Sequence, residues 1–112
     1  MQKHDAVRLR HMLDAGREAL QFARGRNRSD LDRDRMLVLA LVKDIEIIGE
    51  AASQVSEETR SQLPGLPWAD MIAMRHRLVH AYFEINLDIL WQTVQQDLPP
   101  LVTALEDTVK MR

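Results

Sequence analysis

The 112-residue chain contains no cysteine. That excludes disulfide frameworks, thiol nucleophiles and cysteine-bound zinc. Glycine and proline are scarce, with four of each, so long stretches are free of helix breakers. Aromatic residues make up 4%, too few for the stacking platforms of broad single-strand nucleic-acid binders. Long apolar runs are also missing. The longest, Met36 to Val42, has seven residues, against the roughly 20 needed to cross a bilayer. The opening residues Met1 to Asp5 show no apolar signal core. The expectation is a cytoplasmic protein with no membrane role.

What is present fits one domain spanning 1–112. Apolar residues make up 46% and charged residues 29%, an ordinary globular balance. The formal net charge of -2 hides an asymmetry: residues 1–35 sum to +3 and residues 36–112 to -5. This overall acidity argues against nonspecific coating of nucleic acid. Twelve of the fifteen basic residues are Arg, whose planar fork matches phosphate better than a Lys point charge does.

Almost every long stretch has helical period. Leu9, Leu13, Leu20 and Ala23 mark a first helix, which ends at the polar break Gly25 to Ser29. Ser29 or Asp30 is a suitable cap for the next. Leu37, Leu41, Ile45, Ile48, Ala52 and Val55 predict a second helix from about 31 to 60, with Lys43, Asp44, Glu50 and Glu57 mostly off its stripe. A turn at Leu63 to Pro67 follows, then a third helix carrying Trp68, Met71, Ile72, Met74, Leu78 and Val79. Asn86 is a plausible cap for a fourth, built on Leu87, Leu90, Trp91, Val94 and Leu98. Pro99 and Pro100 interrupt the pattern, and Leu101 to Met111 reads as a short closing helix. No segment alternates as a strand does. The expected fold is all-α, an up-and-down bundle of four helices plus a short C-terminal one.

Chemistry concentrates between Met74 and Phe83, where Arg75, His76, Arg77, His80 and Tyr82 interrupt a core-forming segment. Read as continuous helix, Arg75 and His80 lie about 140° apart around the axis, while His76 and His80 share a face. Three readings compete. In the first, His76 and His80 hold a metal, although no Cys completes the set and His4, His11 and the carboxylates stand in no recognised pattern. In the second, the cluster is structural, with Arg75 and Arg77 paired to acids on a neighbouring helix. In the third, it performs metal-free phosphodiester chemistry. RNA cleavage by its own 2′-OH needs a proton-transfer group, for which His suits. It also needs a fixed cation at the crowded phosphorus, for which Arg suits. A single His is short of an acid–base pair, which a symmetric dimer would supply. Arg24, Arg26 and Arg28 are candidates for a basic groove. Glu50 is a candidate partner for Arg75, Arg77 or His80. Gly49 suggests close helix packing, and Trp68 and Trp91 suggest core or interface anchors.

The pattern Arg75-x4-His80-x-Tyr82 resembles the HEPN superfamily, specifically the HepT-like toxins of HepT–MNT toxin–antitoxin pairs. Ile47 to Ala51, Leu66 to Trp68, Val79 to Phe83, Leu87 to Trp91 and Asp97 to Pro100 are similar to HepT blocks in the same order. The likeness extends over about residues 5–108. In that superfamily an R-x4-6-H motif marks metal-independent endoribonucleases. The resemblance implies Arg75 and His80 as the catalytic pair, with His76 assisting. It implies no cofactor and no metal, and a homodimer whose motifs face each other. The substrate would be RNA, transfer or messenger. The partner would be an MNT-type nucleotidyltransferase antitoxin that attaches AMP to Tyr82. The alternative it leaves is a non-catalytic helical module that binds nucleotide or scaffolds the nucleotidyltransferase.

Overall fold

A computed structural model describes residues 1–81 and 84–110, apart from the side chains of His80 and Ala81. Helix α1 (Lys3–Ala23) packs against α3 (Arg35–Gln54), with the short α2 (Asp30–Arg33) between them. Next come α4 (Glu57–Gln62) and α5 (Trp68–Leu78). Strands β1 (Val79–Ala81) and β2 (Glu84–Ile85) lead to α6 (Leu87–Gln92), a π-helical turn at Thr93–Asp97, and α7 (Leu98–Lys110).

The long helices run up and down. Asp5 of α1 bonds Ser56 just beyond α3, while Glu18 meets Asp44, so these two helices are antiparallel. Gly49 lies against Met71 and Ile72, and Arg75 reaches back to Glu46, so α5 is antiparallel to α3. Helix α7 closes on α1, with Gly16 against Val102 and Arg17 bonded to Glu106. The core between them is aliphatic, with Leu9, Met12, Leu41, Ile45, Ile48, Met71, Leu78, Leu90 and Leu105 fully buried. The expected all-α bundle is therefore what forms.

Several expected boundaries move, each for a physical reason. The predicted 31–60 helix is divided into three. Asp34 leaves the helical region and accepts the Leu37 N–H at 3.0 Å. Ser56 similarly accepts the Thr59 N–H at 3.2 Å. Short polar side chains satisfy the free N–H groups of a new first turn and so favour a restart over continuation. Asp44, expected off the apolar stripe, is 1% exposed. Pro99 and Pro100 do not interrupt the last helix. They sit in a backbone that stays helical from α6 through a π-helical turn into α7. The π turn before them spaces its bonds one residue wider, with the Leu98 N–H donating to the Thr93 carbonyl.

The expected absence of strands is also corrected. Helix α5 stops at Leu78, and β1 pairs antiparallel with β2 in the register Val79 with Ile85 and Ala81 with Glu84. The Asn86 N–H closes the pairing on the Leu78 carbonyl at 2.7 Å. β-branched residues at Val79 and Ile85 suit the extended backbone. Among the described residues, no helix is long and apolar enough to cross a membrane.

Candidate active site

Helix α5 is fixed at its start by Trp68, whose indole N–H donates to the Leu63 carbonyl at 3.0 Å. The Arg60 guanidinium lies over the same ring, 5.9 Å from its centre. Along the helix, Gly49 allows α3 and α5 to touch: a Cβ there would sit 3.1 Å from the Met71 carbonyl oxygen. The last turn of α5 carries Arg75, His76 and Arg77, where unpaired carbonyls at the negative end of the helix dipole favour cations.

That turn opens onto a cleft of about 680 Å³ between α1, α3 and α5. Arg75 and His76 line it from α5, together with Ile72. Helix α3 contributes Lys43, Glu46, Ile47, Gly49, Glu50, Ala51, Ser53 and Gln54, and α1 contributes Arg8 and His11. The Arg75 Nε donates to Glu46 Oε1 at 3.1 Å. This is its one polar partner among the described residues, and it orients the guanidinium. Arg75 is 41% exposed along its side chain, open enough to meet a ligand from solvent.

The structure thus brings together two of the expected site residues, Arg75 and His76. The His80 backbone lies on β1, two residues beyond the end of α5; its side chain lies outside the description. The helical-wheel expectation fails here, because a strand intervenes. Arg75 and His80 are not 140° apart on one helix, and His76 and His80 do not form an i, i+4 pair. Tyr82 lies outside the described residues. Among the described residues no group of three or more His, Asp or Glu side chains is gathered as a metal would need.

Other expectations are revised. Glu46 rather than Glu50 holds Arg75, although Glu50 lines the same cleft. Arg77 instead donates to the Asp70 carbonyl at 3.3 Å. Arg26 and Arg28 do not join a basic groove at the site. They bond Asp34 at 2.7 Å and Asp88 at 2.7 Å respectively. They also follow α1, roughly 20 Å along it from Arg8 and His11 at 1.5 Å per residue. The residues that sequence reasoning missed, Arg8, Lys43 and Glu46, flank apolar stripes on their helices. Only the antiparallel pairing of α1 with α3 and of α3 with α5 brings them together.

A family model described as ribonuclease HepT-like matches residues 12–108. A protein of Methanocaldococcus jannaschii named for an inferred RNase activity is 29% identical over 95 residues, covering 85% of this chain and 87% of its own. Another so named, from Caldanaerobacter subterraneus, is 30% identical over 102 residues, 91% of each chain. A third, the probable ribonuclease HepT of Thermococcus cleftensis, is 38% identical over 68 residues, covering 61% of this chain and 62% of its own. No solved structure matches the chain.

Proposed function

Because this chain belongs to the HepT-like ribonuclease family and is therefore an endoribonuclease, we propose that Arg75 and His80 carry its chemistry, with His76 assisting. The observation that carries this reading is the joint presence of Arg75 and His76 in one cleft, at the end of the helix that leads directly into His80.

The reaction is transesterification. The 2′-oxygen attacks the adjacent phosphorus and loses its proton to an imidazole. The bond from phosphorus to the 5′-oxygen breaks, and that oxygen takes up a proton. The products are a 2′,3′-cyclic phosphate and a free 5′-hydroxyl. His80 serves as a proton-transfer group, because imidazole both takes and gives protons near neutral pH. Arg75 stabilises the charge that builds on the phosphoryl oxygens, and its guanidinium needs no reorientation because Glu46 already holds Nε. His76, one residue on, assists by hydrogen bonding in the same cleft. A second proton-transfer group comes from a second subunit, in a homodimer whose motifs face each other.

In this reading the protein is the toxin of a toxin–antitoxin pair, and a nucleotidyltransferase of the MNT type silences it. Transfer of AMP to the Tyr82 hydroxyl releases pyrophosphate from ATP and places a phosphodiester anion two residues from His80. Like-charge repulsion and blocked access then both oppose RNA.

Incubation of the purified protein with total RNA, without divalent ions, tests the chemistry. We expect fragments ending in cyclic phosphate. Arg75→Ala and His80→Ala should each reduce the cleavage rate by about 100-fold or more, with melting temperature and oligomeric state unchanged. Equal cleavage by wild type and His80→Ala would contradict the assignment.

A further inference from the structure

We propose that α1 and α3 supply a second phosphate-binding subsite in the cleft, in which Arg8, His11 and Lys43 grip the RNA backbone beside the phosphate engaged by Arg75. This rests on the ribonuclease reading above, and it places substrate contacts on two helices outside the motif. Arg8 and His11 are three apart on α1 and so share a face. The Asp5 carboxylate, bonded to Ser56 and Thr59, fixes that part of α1 beside the last turns of α3. Both residues consequently line the same cleft as Arg75 and His76.

Two observations point to an anion there. The Nε of Arg8 is buried with no hydrogen-bond partner among the described residues, and a buried donor without an acceptor is destabilising. A phosphate oxygen entering the cleft provides that acceptor. Among the described residues the lining also carries three permanent cations, Arg8, Lys43 and Arg75, against two carboxylates. One of those, Glu46, is already committed to Arg75. Gln54 adds a neutral donor along the same wall, while the Ser53 hydroxyl already donates to the Glu50 carbonyl at 2.7 Å. No Phe, Tyr or Trp stands among the described lining residues. The chemistry therefore suits the phosphodiester backbone rather than stacked bases, and binding at this subsite tolerates any sequence.

The test uses a fluorescent 2′-O-methyl oligoribonucleotide, which lacks the nucleophile and reports binding without cleavage. Arg8→Gln, His11→Gln and Lys43→Gln should each weaken binding by about 3- to 10-fold. Removal of Arg8 or Lys43 should also lower the slope of log affinity against log salt by about 0.7 per cation. Arg10→Gln removes a cation on α1 that is paired with Asp14 outside the cleft, and it should leave affinity unchanged. On cleavable RNA the three variants should raise KM with little change in kcat. Arg8 is partly buried; if its variant melts early, the exposed His11 and Lys43 carry the measurement. Wild-type affinity and salt slope in His11→Gln and Lys43→Gln would overturn the subsite and leave the ribonuclease reading standing. A wild-type protein that neither binds nor cuts RNA would remove both.

Discussion

Asp5 and Asp44 are both buried, at 0% and 1% exposure, yet their carboxyl groups are driven in opposite directions. For Asp5, burial pushes upward, but the hydroxyls of Ser56 and Thr59, each at 2.6 Å, and the Ser56 N–H at 2.9 Å reverse it. With His4 adding its charge, the group is held at about 2, below the usual 3.8. For Asp44, burial and the neighbouring Glu18 carboxyl push the same way, up to about 7, and Oδ2 has no partner among the described residues. A depressed carboxyl stabilises the fold above its unfolded value, and that stability is lost as pH falls from about 4 towards 2. A raised carboxyl keeps a proton that the unfolded chain releases, so stability declines as pH rises from about 4 to about 7. Thermal melts across pH should therefore peak between about 4 and 5. Asp44→Asn should abolish the decline towards neutrality and raise the melting temperature at pH 8. Asp5→Ala should cost about 3 kcal/mol at pH 7 by removing three bonds to a charged acceptor. A flat wild-type profile between pH 4 and 8 would refute the Asp44 assignment. Neither carboxyl was legible as buried in the sequence. Asp44 follows Val42 and Lys43 and precedes Ile45, a pattern that does not reveal which neighbour covers it.

At the scale of elements, apolar spacing revealed the helices, while local capping and backbone pairing determined where they stop. The stripe from Leu37 to Val55 lies between Asp34 and Ser56, and it marks neither as a boundary, because hydrophobic period is indifferent to a side chain that accepts an N–H. The end of α5 at Leu78 was hidden for the opposite reason. Its strand is three residues long, too short for alternation to register, and it owes its form to pairing with Glu84 and Ile85. Gly49 was legible as a packing residue, and α5 does approach there. Alanine at Gly49 offers roughly 1 kcal/mol in helix propensity. Its Cβ, however, would stand 3.1 Å from the Met71 carbonyl oxygen and 3.5 Å from that of Ile72. These are backbone atoms of a neighbouring helix, so α5 must shift as a unit. Gly49→Ala should lower stability by about 1 kcal/mol net. It should also reduce RNA cleavage, because Arg75 and His76 travel with α5. Unchanged stability and activity would show that α5 yields freely.

For the whole molecule, the all-α bundle and its antiparallel order were readable because each long helix carries one apolar face. The cleft was not, since Arg8, Lys43, Glu46 and Arg75 are brought together from three helices. The large hydrophobic side chains exposed among the described residues are Met1, Val7, Phe22, Met36 and Leu39. All but Met1 lie on α1 and α3, and Met36 is 82% exposed. Val7 and Phe22 stand about 22 Å apart along α1, so the proposed homodimer rests on the site's need for a second proton-transfer group rather than on one apolar patch. Native mass spectrometry of the protein produced with and without a cognate nucleotidyltransferase measures this together with the proposed switch. We expect a dimer in both cases, and AMP additions only with the partner, which Tyr82→Phe abolishes. Masses free of AMP in both preparations would eliminate the switch, and a monomer at micromolar concentration would eliminate the two-subunit site.

The junction between α5 and β1 has a consequence for how such a site tolerates insertions and deletions. Each residue added within a helix rotates everything after it by about 100°, so a motif carried wholly on a helix would be locked to one spacing. Here Arg75 belongs to the helix and the His80 backbone to a strand whose position is set by its register with β2 and by the Asn86–Leu78 bond. Length can be gained or lost at the junction without turning either anchor. The superfamily pattern that this chain resembles allows four to six residues between Arg and His, a latitude this architecture accommodates.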